Sequence, residues 1–324
     1  MNNILSRSIK FYSRNKRKID PHLTILGLYL TTKFLFRRAK AIISTLSLQQ
    51  VDIANRYGKG SYALITGGAG GIGREFALDL ARKGFNLIIV DFNQASLDSI
   101  QQEIKSIKSD LMVKTLLIDF AQGDNPEFYK KFQQEISKLD ISILINNVGT
   151  SKGQFGIFNR LPMKNIIEGF NINFVAQIMV TQAVINQMIL RNKYQSLILN
   201  LSSASAYYPY PFFFGYGASK IGIANFFDAL SLELRNHKNI DILTLKPYYV
   251  STAMINHQKG AFIIQPQKLV QSTWKYVGRT NEITPNCIHQ IQLYLESLLP
   301  IFLRNFMSRM SHEKGAEAVT QIQE

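Results

Sequence analysis

Tyr62-Ala-Leu-Ile-Thr-Gly-Gly-Ala-Gly-Gly-Ile-Gly73 is the stretch whose reading decides the fold. Tyr62–Thr66 reads as a buried parallel strand, and Gly67–Gly73 opens a helix running to about Lys83, which Gly84 caps. A glycine loop between a strand and a helix lets backbone N–H groups and the helix N-terminus hold a pyrophosphate. Gly67, Gly71 and Gly73 permit the tight turn, the approach of backbone to cofactor and close helix packing. Ile72, inside the loop, joins them as a cofactor-binding candidate. A flexible linker is the competing reading, and the flanking strand and helix argue against it.

Outward from this loop the chain alternates strands with helices. Leu87–Val90 is a second strand ending at Asp91, Ser96–Lys108 a helix, and Met112–Ile118 a third strand closing on Asp119. Pro126–Lys138 is helical, and Ile141–Ile145 is a fourth strand entering Asn146-Asn147-Val148-Gly149. A long helix Ile166–Leu190, a strand Ser196–Leu201, a helix Tyr216–Asn236 and a strand Ile240–Leu245 follow. This rhythm predicts an α/β fold with a doubly wound parallel sheet of Rossmann type in a single domain.

After Pro247 the pattern loosens. Ser251–Pro266 is expected as a lid over the substrate, Lys268–Val277 as a helix, and Ile283–Ile288 as a last edge strand. Ile291–Met310 is apolar but interrupted by Glu296, Pro300 and Arg304, which suits a membrane-dipping or dimer-packing element. The polar tail from Ser311 is expected to be loose. The domains predicted are a basic and apolar segment over 1–56, a dehydrogenase-like body over 57–290 and an extension over 291–324.

Polar residues cluster where strands end. Asp91 is placed to accept hydrogen bonds from an adenosine ribose and to repel a 2′-phosphate. Phe92 is not basic, and the loop has no Arg or Lys before Gly73, so NAD(H) is favoured over NADP(H). Asp119 reads either as an adenine partner or as a helix N-cap. Asn146, Asn147 and Gly149 offer small and amide groups for the adenine side. Asn173 stands inside a helix, a poor place for Asn unless its amide has a role; a buried structural amide is the alternative.

Tyr216 and Lys220 are four residues apart, so on a helix both project from one face. A phenol ionises near ~10 in water, and a nearby ammonium is expected to lower that value toward the range of a useful proton carrier. Ser203 follows the apolar run Leu197–Leu201 and reaches the carboxyl edge of a sheet, where open α/β folds bind ligands. Taken alone, a Tyr and a Lys one turn apart are commonplace on surfaces. The other motifs supply partners for each role.

The 324 residues are 46% hydrophobic, which suits a folded α/β domain with appendages. A single cysteine, Cys287, excludes an intramolecular disulfide and fits a reducing compartment. The net charge is +15, yet residues 1–60 carry twelve Lys/Arg against Asp20 and Asp52, so +10 of it lies there. The rest is nearly balanced, which argues against nucleic-acid binding. Met1–Ile19 is basic and free of acidic residues; Leu23–Phe36 is apolar apart from Thr and Lys33. The pair reads as a membrane-surface anchor or a mitochondrial-type presequence, with an amphipathic helix packed on the domain as the alternative. The five His and one Cys show no metal-ligand spacing, so no metal is expected.

Thr66–Gly73 as T-G-x-x-x-G-I-G, Asn146–Gly149 as N-N-x-G, Asn173, Ser203, and Tyr216 with Lys220 as Y-x-x-x-K together resemble the short-chain dehydrogenase/reductase superfamily. Within it the chain looks like the membrane-bound very-long-chain 3-oxoacyl-CoA reductases and their 17β-hydroxysteroid dehydrogenase relatives. Leu199-Asn-Leu-Ser-Ser203 and Lys246-Pro-Tyr-Tyr-Val-Ser-Thr252 carry that closer likeness. The resemblance implies Tyr216 as proton donor to a substrate carbonyl and Lys220 as the group that lowers its pKa and holds the nicotinamide ribose. It implies Ser203 as the carbonyl-orienting hydroxyl, and Asn173 as holder of a water linking Lys220 to solvent. Pro247, Val250 and Thr252 fall on the nicotinamide side. The expected activity is hydride exchange between a nicotinamide cofactor and a ketone or secondary alcohol on a large apolar substrate, acyl-CoA or steroid-like. The rival is a non-catalytic accessory subunit that keeps a dinucleotide for stability. A homodimer at the endoplasmic reticulum membrane is expected, with the mitochondrion as the alternative address. Two departures stand out. That reductase group usually carries a basic residue after the second strand, where this chain has Asp91-Phe92, and often ends in a lysine-rich tail, where this one ends Thr-Gln-Ile-Gln-Glu324.

Overall fold

The computed structural model describes residues 12–16, 20–33, 48–123 and 125–323, with side chains to 317. It divides into two compact units, Met1–Gln49 and Gln50–Glu324. In the first unit, residues 20–33 form a helix on which Leu23, Ile25, Leu28 and Tyr29 are exposed. The rest of the expected apolar segment, and most of Met1–Ile19, lie outside the described residues.

The second unit begins at Gln50 rather than near Tyr57, because a short helix precedes the first strand. This helix, α1 (Ile53–Tyr57), is capped by Asp52 and buries both Ile53 and Tyr57. Arg56 and the Tyr57 hydroxyl then both reach Asp241, at 2.7 and 2.6 Å. From there the sequence alternates as expected: β1 (Tyr62–Thr66), α2 (Gly71–Arg82), β2 (Asn86–Asp91), α3 (Gln94–Ile107), β3 (Val113–Leu117), α4 (Pro126–Ile136) and β4 (Ile141–Asn146). A long helix α5 (Met163–Leu190), β5 (Ser196–Leu201), α6 (Phe214–Glu233) and β6 (Ile240–Leu245) complete the repeating part.

Among the described residues seven parallel strands, the last of them β7 (Glu282–Ile283), form one sheet in the order β3-β2-β1-β4-β5-β6-β7. The order reverses between β1 and β4, and the crevice outside their carboxyl ends is where such sheets bind ligands. The central strands are apolar on both faces because helices cover both. On one side Leu64, Ile88, Leu144 and Ile198 pack with Val180, Val184 and Met188 of α5 and Phe227 of α6. Among the described residues α5 is the one helix long and apolar enough to cross a membrane, yet its buried stripe makes it a core helix of this sheet. Phe76 of α2 meets Trp274 edge-on at 5.4 Å, closing the opposite layer.

Beyond β6 the structure departs from expectation. Residues 251–266 fold back as a strap, with Val250 bridging Ile264 and Ser251 N–H donating to the Ile264 carbonyl at 2.9 Å. The helix α7 (Pro266–Thr273) starts at proline and stops earlier than the expected Val277. The last strand, β7, is only Glu282–Ile283. Pro285 has no N–H to extend the ladder, and Asn286 instead caps a helix by accepting from Ile288 N–H at 2.9 Å. That helix is α8 (Cys287–Leu298); Pro300 breaks it from α9 (Ile301–Gln323). The tail from Ser311 is therefore helical rather than loose, held where Gly315 faces Phe155 and Ala316 is buried. Residues 291–324 belong to the same compact unit as the sheet.

Candidate active site

The carboxyl ends of β1, β4, β5 and β6 gather the sequence candidates along one edge of the sheet. Thr66 Oγ1 accepts from the backbone N–H groups of Asn147 and Val148, both at 3.1 Å, joining the ends of β1 and β4. Asn147 Nδ2 donates in return to the carbonyls of Thr66 and Gly67, each at 2.9 Å. Asn147 was expected to line the adenine side of a cofactor, and its amide nitrogen braces the glycine loop beside that place. Asn146 is fully buried and donates to Thr181 Oγ1 and Asn200 Oδ1 at 2.8 and 2.9 Å, so it too is a brace.

Gly67 and Gly71 have φ of +61° and +52°, a region that side-chain-bearing residues avoid. A Cβ on Gly73 would stand 2.2 Å from the Gly67 carbonyl oxygen, so only glycine lets the loop close on α2. Gly70 caps α2 without a side-chain acceptor, and the space beyond its Cα is open. With no side-chain cap from Gly70, the positive end of the helix macrodipole is left to an anion, and this cradle fits the diphosphate of a dinucleotide. Ile72 and Val250 share one small apolar cluster, and Thr252 lies 3.2 Å from where a Gly71 Cβ would be. The Pro247 carbonyl accepts from Ala204 N–H at 2.9 Å, tying the segments after β5 and β6 together.

At the end of β2, Asp91 Oδ2 accepts from the Ala69 N–H of the glycine loop at 3.2 Å. Its other oxygen accepts from Phe92 and Asn93 N–H at 2.9 and 3.3 Å. Asp119 lies two residues past the edge strand β3, where one oxygen caps a short 3₁₀ turn by accepting from Ala121 N–H at 2.9 Å. One of its two readings, the cap, is thus present, and a cap on one oxygen does not exclude an adenine contact through the other.

Tyr216 and Lys220 project from α6 as their spacing requires. Lys220 is 3% exposed, and its Nζ donates to the Leu201 carbonyl at the end of β5, 2.8 Å away. Burial lowers its pKa to about 8. The ammonium lies 5.6 Å from the centre of the Tyr216 ring. The phenol's pKa is raised by burial, against the opposing pull of a hydrogen bond from Ser203. The expectation that Lys220 would leave the phenol acidified is thus corrected. Desolvation dominates and keeps the hydroxyl protonated, the form that can give a proton to a carbonyl.

Behind this pair α5 widens into a π turn over Asn171–Val175, a distortion that recurs at functional sites. It carries the buried Asn173, whose Oδ1 accepts from Thr150 N–H at 2.7 Å and whose Nδ2 donates to the Thr150 carbonyl at 2.9 Å. The amide therefore grips the turn after β4. Gly149 sits between it and Lys220: a Cβ there would be 3.2 Å from both Asn173 Oδ1 and Lys220 Nζ.

Residues 61–261 match the short chain dehydrogenase family, a span that holds the glycine loop, Ser203, Tyr216 and Lys220. The chain belongs to the short-chain dehydrogenase family. It is an NAD(P)-dependent oxidoreductase of the CH–OH/C=O pair. A curated relative from Coccidioides immitis, a very-long-chain 3-oxoacyl-CoA reductase, is 33% identical over 286 residues, 88% of this chain and 80% of that one. Two solved structures share its fold. A Sphingobium yanoikuyae short-chain dehydrogenase in complex with NADPH has a TM-score of 0.59 at 23% identity, covering 67% of this chain and 84% of that one. A 7β-hydroxysteroid dehydrogenase has a TM-score of 0.69 at 17% identity, covering 80% and 99%.

Several residues that shape the site of this short-chain dehydrogenase escape a reading of motifs. Gln177, one turn after Asn173 on an apolar helix, is fully buried and approaches the Val148 and Leu201 carbonyls at 3.4 Å each. His289 of α8 accepts from Tyr248 N–H at 3.3 Å and meets the Tyr249 carbonyl at 3.2 Å, which fixes the proton on Nε2. Glu296 was visible only as the lone acid in an apolar run. Each works through long-range contacts that no local spacing announces.

Proposed function

We propose that this short-chain dehydrogenase reduces the keto group of a 3-oxoacyl chain carried on coenzyme A, with NADH as the preferred reductant. The observation that carries the reading is the pairing of Tyr216 and Lys220 on one face of α6, the buried ammonium 5.6 Å from the centre of the phenol ring. When bound, the reduced dinucleotide supplies the hydride. The loop Gly67–Gly73 holds its diphosphate, Asp91 its adenosine ribose, and Val250 and Thr252 flank its nicotinamide end. Ser203 orients the substrate carbonyl, and Tyr216 gives its phenolic proton to the carbonyl oxygen as charge develops there. Lys220 places positive charge behind the phenolate that remains. Asn173 holds the Gly149–Thr150 turn against that lysine. A non-catalytic subunit has no use for Ser203, Tyr216 and Lys220 assembled in this way.

The preference for NADH rests on Asp91, whose carboxylate stands at the glycine loop, and on Phe92, which is 72% exposed and uncharged. The nearest cation on α2, Arg74, is engaged by Glu75 and Glu103 at 3.0 and 2.5 Å. The acyl-CoA substrate is supported by the Coccidioides immitis relative and by the aromatic wall of Tyr207, Tyr208, Tyr210 and Phe213.

The test is a panel of 3-oxoacyl-CoA thioesters and steroid ketones, assayed with NADH and NADPH side by side for the parent and Tyr216→Phe. Thioester turnover that disappears in Tyr216→Phe while cofactor affinity holds is expected. Turnover of steroids alone, or variant activity within about tenfold of the parent, a barrier change of only ~1.4 kcal/mol, overturns the assignment.

We also propose that the first unit attaches the enzyme to the endoplasmic reticulum membrane. The ten Lys/Arg against Asp20 in residues 1–49 and the exposed apolar side chains on the 20–33 helix support this. Full partition into the soluble fraction at low salt would count against it, and co-fractionation with mitochondria would move the address.

A further inference from the structure

The loop between Ser203 and Tyr216 carries three tyrosines, each gripped by a different part of the C-terminal quarter. Tyr207 meets Thr284 Oγ1 at 3.0 Å, and the Arg304 guanidinium lies over the Tyr208 ring, 3.8 Å from its centre. Tyr210 donates its hydroxyl to Glu296 Oε2 at 3.1 Å. The same oxygen accepts from the Tyr248 hydroxyl at 2.8 Å, and Tyr248 belongs to the segment after β6. One carboxylate oxygen thus ties the loops after β5 and β6 to α8.

The loop it holds is strained. Tyr210–Phe213 is a turn closed by Phe213 N–H donating to the Tyr210 carbonyl at 3.2 Å. Pro211 takes the second position, and Phe212, in the third, has φ of +69°. Turns of this kind take glycine at that position. A bulky residue there persists only where its surroundings hold it, and such strain concentrates at functional sites. The next residue, Phe213, lies 6.4 Å from the Tyr216 ring, 4.5 Å from Phe155 and 5.3 Å from His312 of α9, centre to centre. An apolar wall therefore runs from the acid/base tyrosine to the last helix.

We propose that Glu296 is a positioning residue for substrate specificity. By clasping Tyr210 and Tyr248 it holds the strained turn that sets Phe213 and His312 as the far wall of the cleft, which admits ketones with a long apolar arm. This rests on the reading of the chain as a ketone reductase. Glu296 acts through the wall and touches no reacting atom. The Tyr248–Tyr249 backbone has a second anchor in His289, so cofactor binding does not depend on the clasp.

The experiment compares the full-length parent, Glu296→Gln and Glu296→Leu on a long-chain 3-oxoacyl-CoA and on acetoacetyl-CoA, with cofactor Kd measured in parallel. Glu296→Leu loses two hydrogen bonds to a charged group, so KM for the long thioester is expected to rise about tenfold or more. Its kcat on acetoacetyl-CoA and its cofactor Kd should stay within about twofold, a difference of ~0.4 kcal/mol. Glu296→Gln keeps an oxygen that accepts both hydroxyls and should restore the parent KM. Equal losses on both substrates, or no loss on either, overturns the proposal. Where Glu296→Leu does not fold, Tyr210→Phe removes one donor, keeps the ring and carries the same comparison. A parent inactive on both thioesters overturns the acyl-CoA reading instead; the size comparison is then made between a steroid ketone and cyclohexanone.

Discussion

Lys220 Nζ donates to the Leu201 carbonyl at 2.8 Å, so the helix that carries Tyr216 is fastened to the end of β5 by a buried ammonium. Burial pulls the lysine from 10.5 down to about 8, which means the folded state disfavours its charged form. The folded pKa lies below the unfolded one, so stability should rise as pH climbs from about 8 toward 10.5. Lys220→Met removes that cost: the variant should gain about 1–3 kcal/mol at neutral pH and lose the alkaline rise, while kcat drops by about a hundredfold or more. Denaturant melts across pH, read beside turnover, check it. A variant both less stable and fully active sinks the assignment.

Gly73 is the second pressure point. A methyl there would meet the Gly67 carbonyl oxygen at 2.2 Å and Asn147 Nδ2 at 2.5 Å, and neither group can move without opening the glycine loop. Gly73→Ala should therefore destabilise the protein by about 1–3 kcal/mol and weaken cofactor binding by about tenfold or more. Isothermal titration with NADH and a thermal melt separate the two effects. Cofactor affinity unchanged in Gly73→Ala contradicts the role given to the loop.

Asp91 and Phe92 should set the choice between cofactors. A 2′-phosphate carries roughly −1.5 to −2 charge at neutral pH and would be repelled by a carboxylate near the ribose. One charge pair at ~4 Å costs about 4 kcal/mol at a surface-like dielectric before salt screening, which leaves an expected NADH preference of about ten- to a hundredfold. Asp91→Ser with Phe92→Arg should invert it by removing the repulsion and adding a phosphate partner. The measurement is kcat/KM for both reduced cofactors in parent and variant; a parent that prefers NADPH refutes the reading.

His289 gives the enzyme an acid-sensitive seam. It is fully buried, and burial lowers its pKa from 6.5 to about 4. The folded pKa lies below the unfolded one, so its contribution is complete above 6.5 and is lost as pH falls through about 4. Up to about 3 kcal/mol of stability depends on it. Protonation would also displace the lone pair that accepts from Tyr248 N–H. His289→Gln, which keeps a donor and an acceptor, should flatten the acid limb of a stability–pH curve between pH 6.5 and 4. An unchanged limb assigns the acid loss to the carboxylates instead.

The doubly wound sheet was legible because its signals are local. A strand buried on both faces has to be apolar throughout, and a loop that closes on a helix N-terminus has to be glycine. Tyr62–Gly73 states both within a dozen residues. The spacing of Tyr216 and Lys220 fixed their shared helix face for the same reason. The roles of neighbouring polar residues were decided by contacts far along the chain. Asn147 braces the glycine loop because the Gly67 carbonyl lies 2.9 Å from its amide nitrogen across the sheet. Asn173 grips Thr150, and burial rather than Lys220 governs Tyr216, because desolvation depends on what the whole fold packs around a group. The C-terminal quarter was least legible. Its broken apolar pattern suits a membrane or a partner as well as a core. Only the tertiary structure shows Glu296 joined to Tyr210 and Tyr248, residues 86 and 48 positions away in the chain. Pattern and spacing determine what a residue's own turn or strand must be. Burial and long-range hydrogen bonds, which need the folded chain, decide what its polar atoms do.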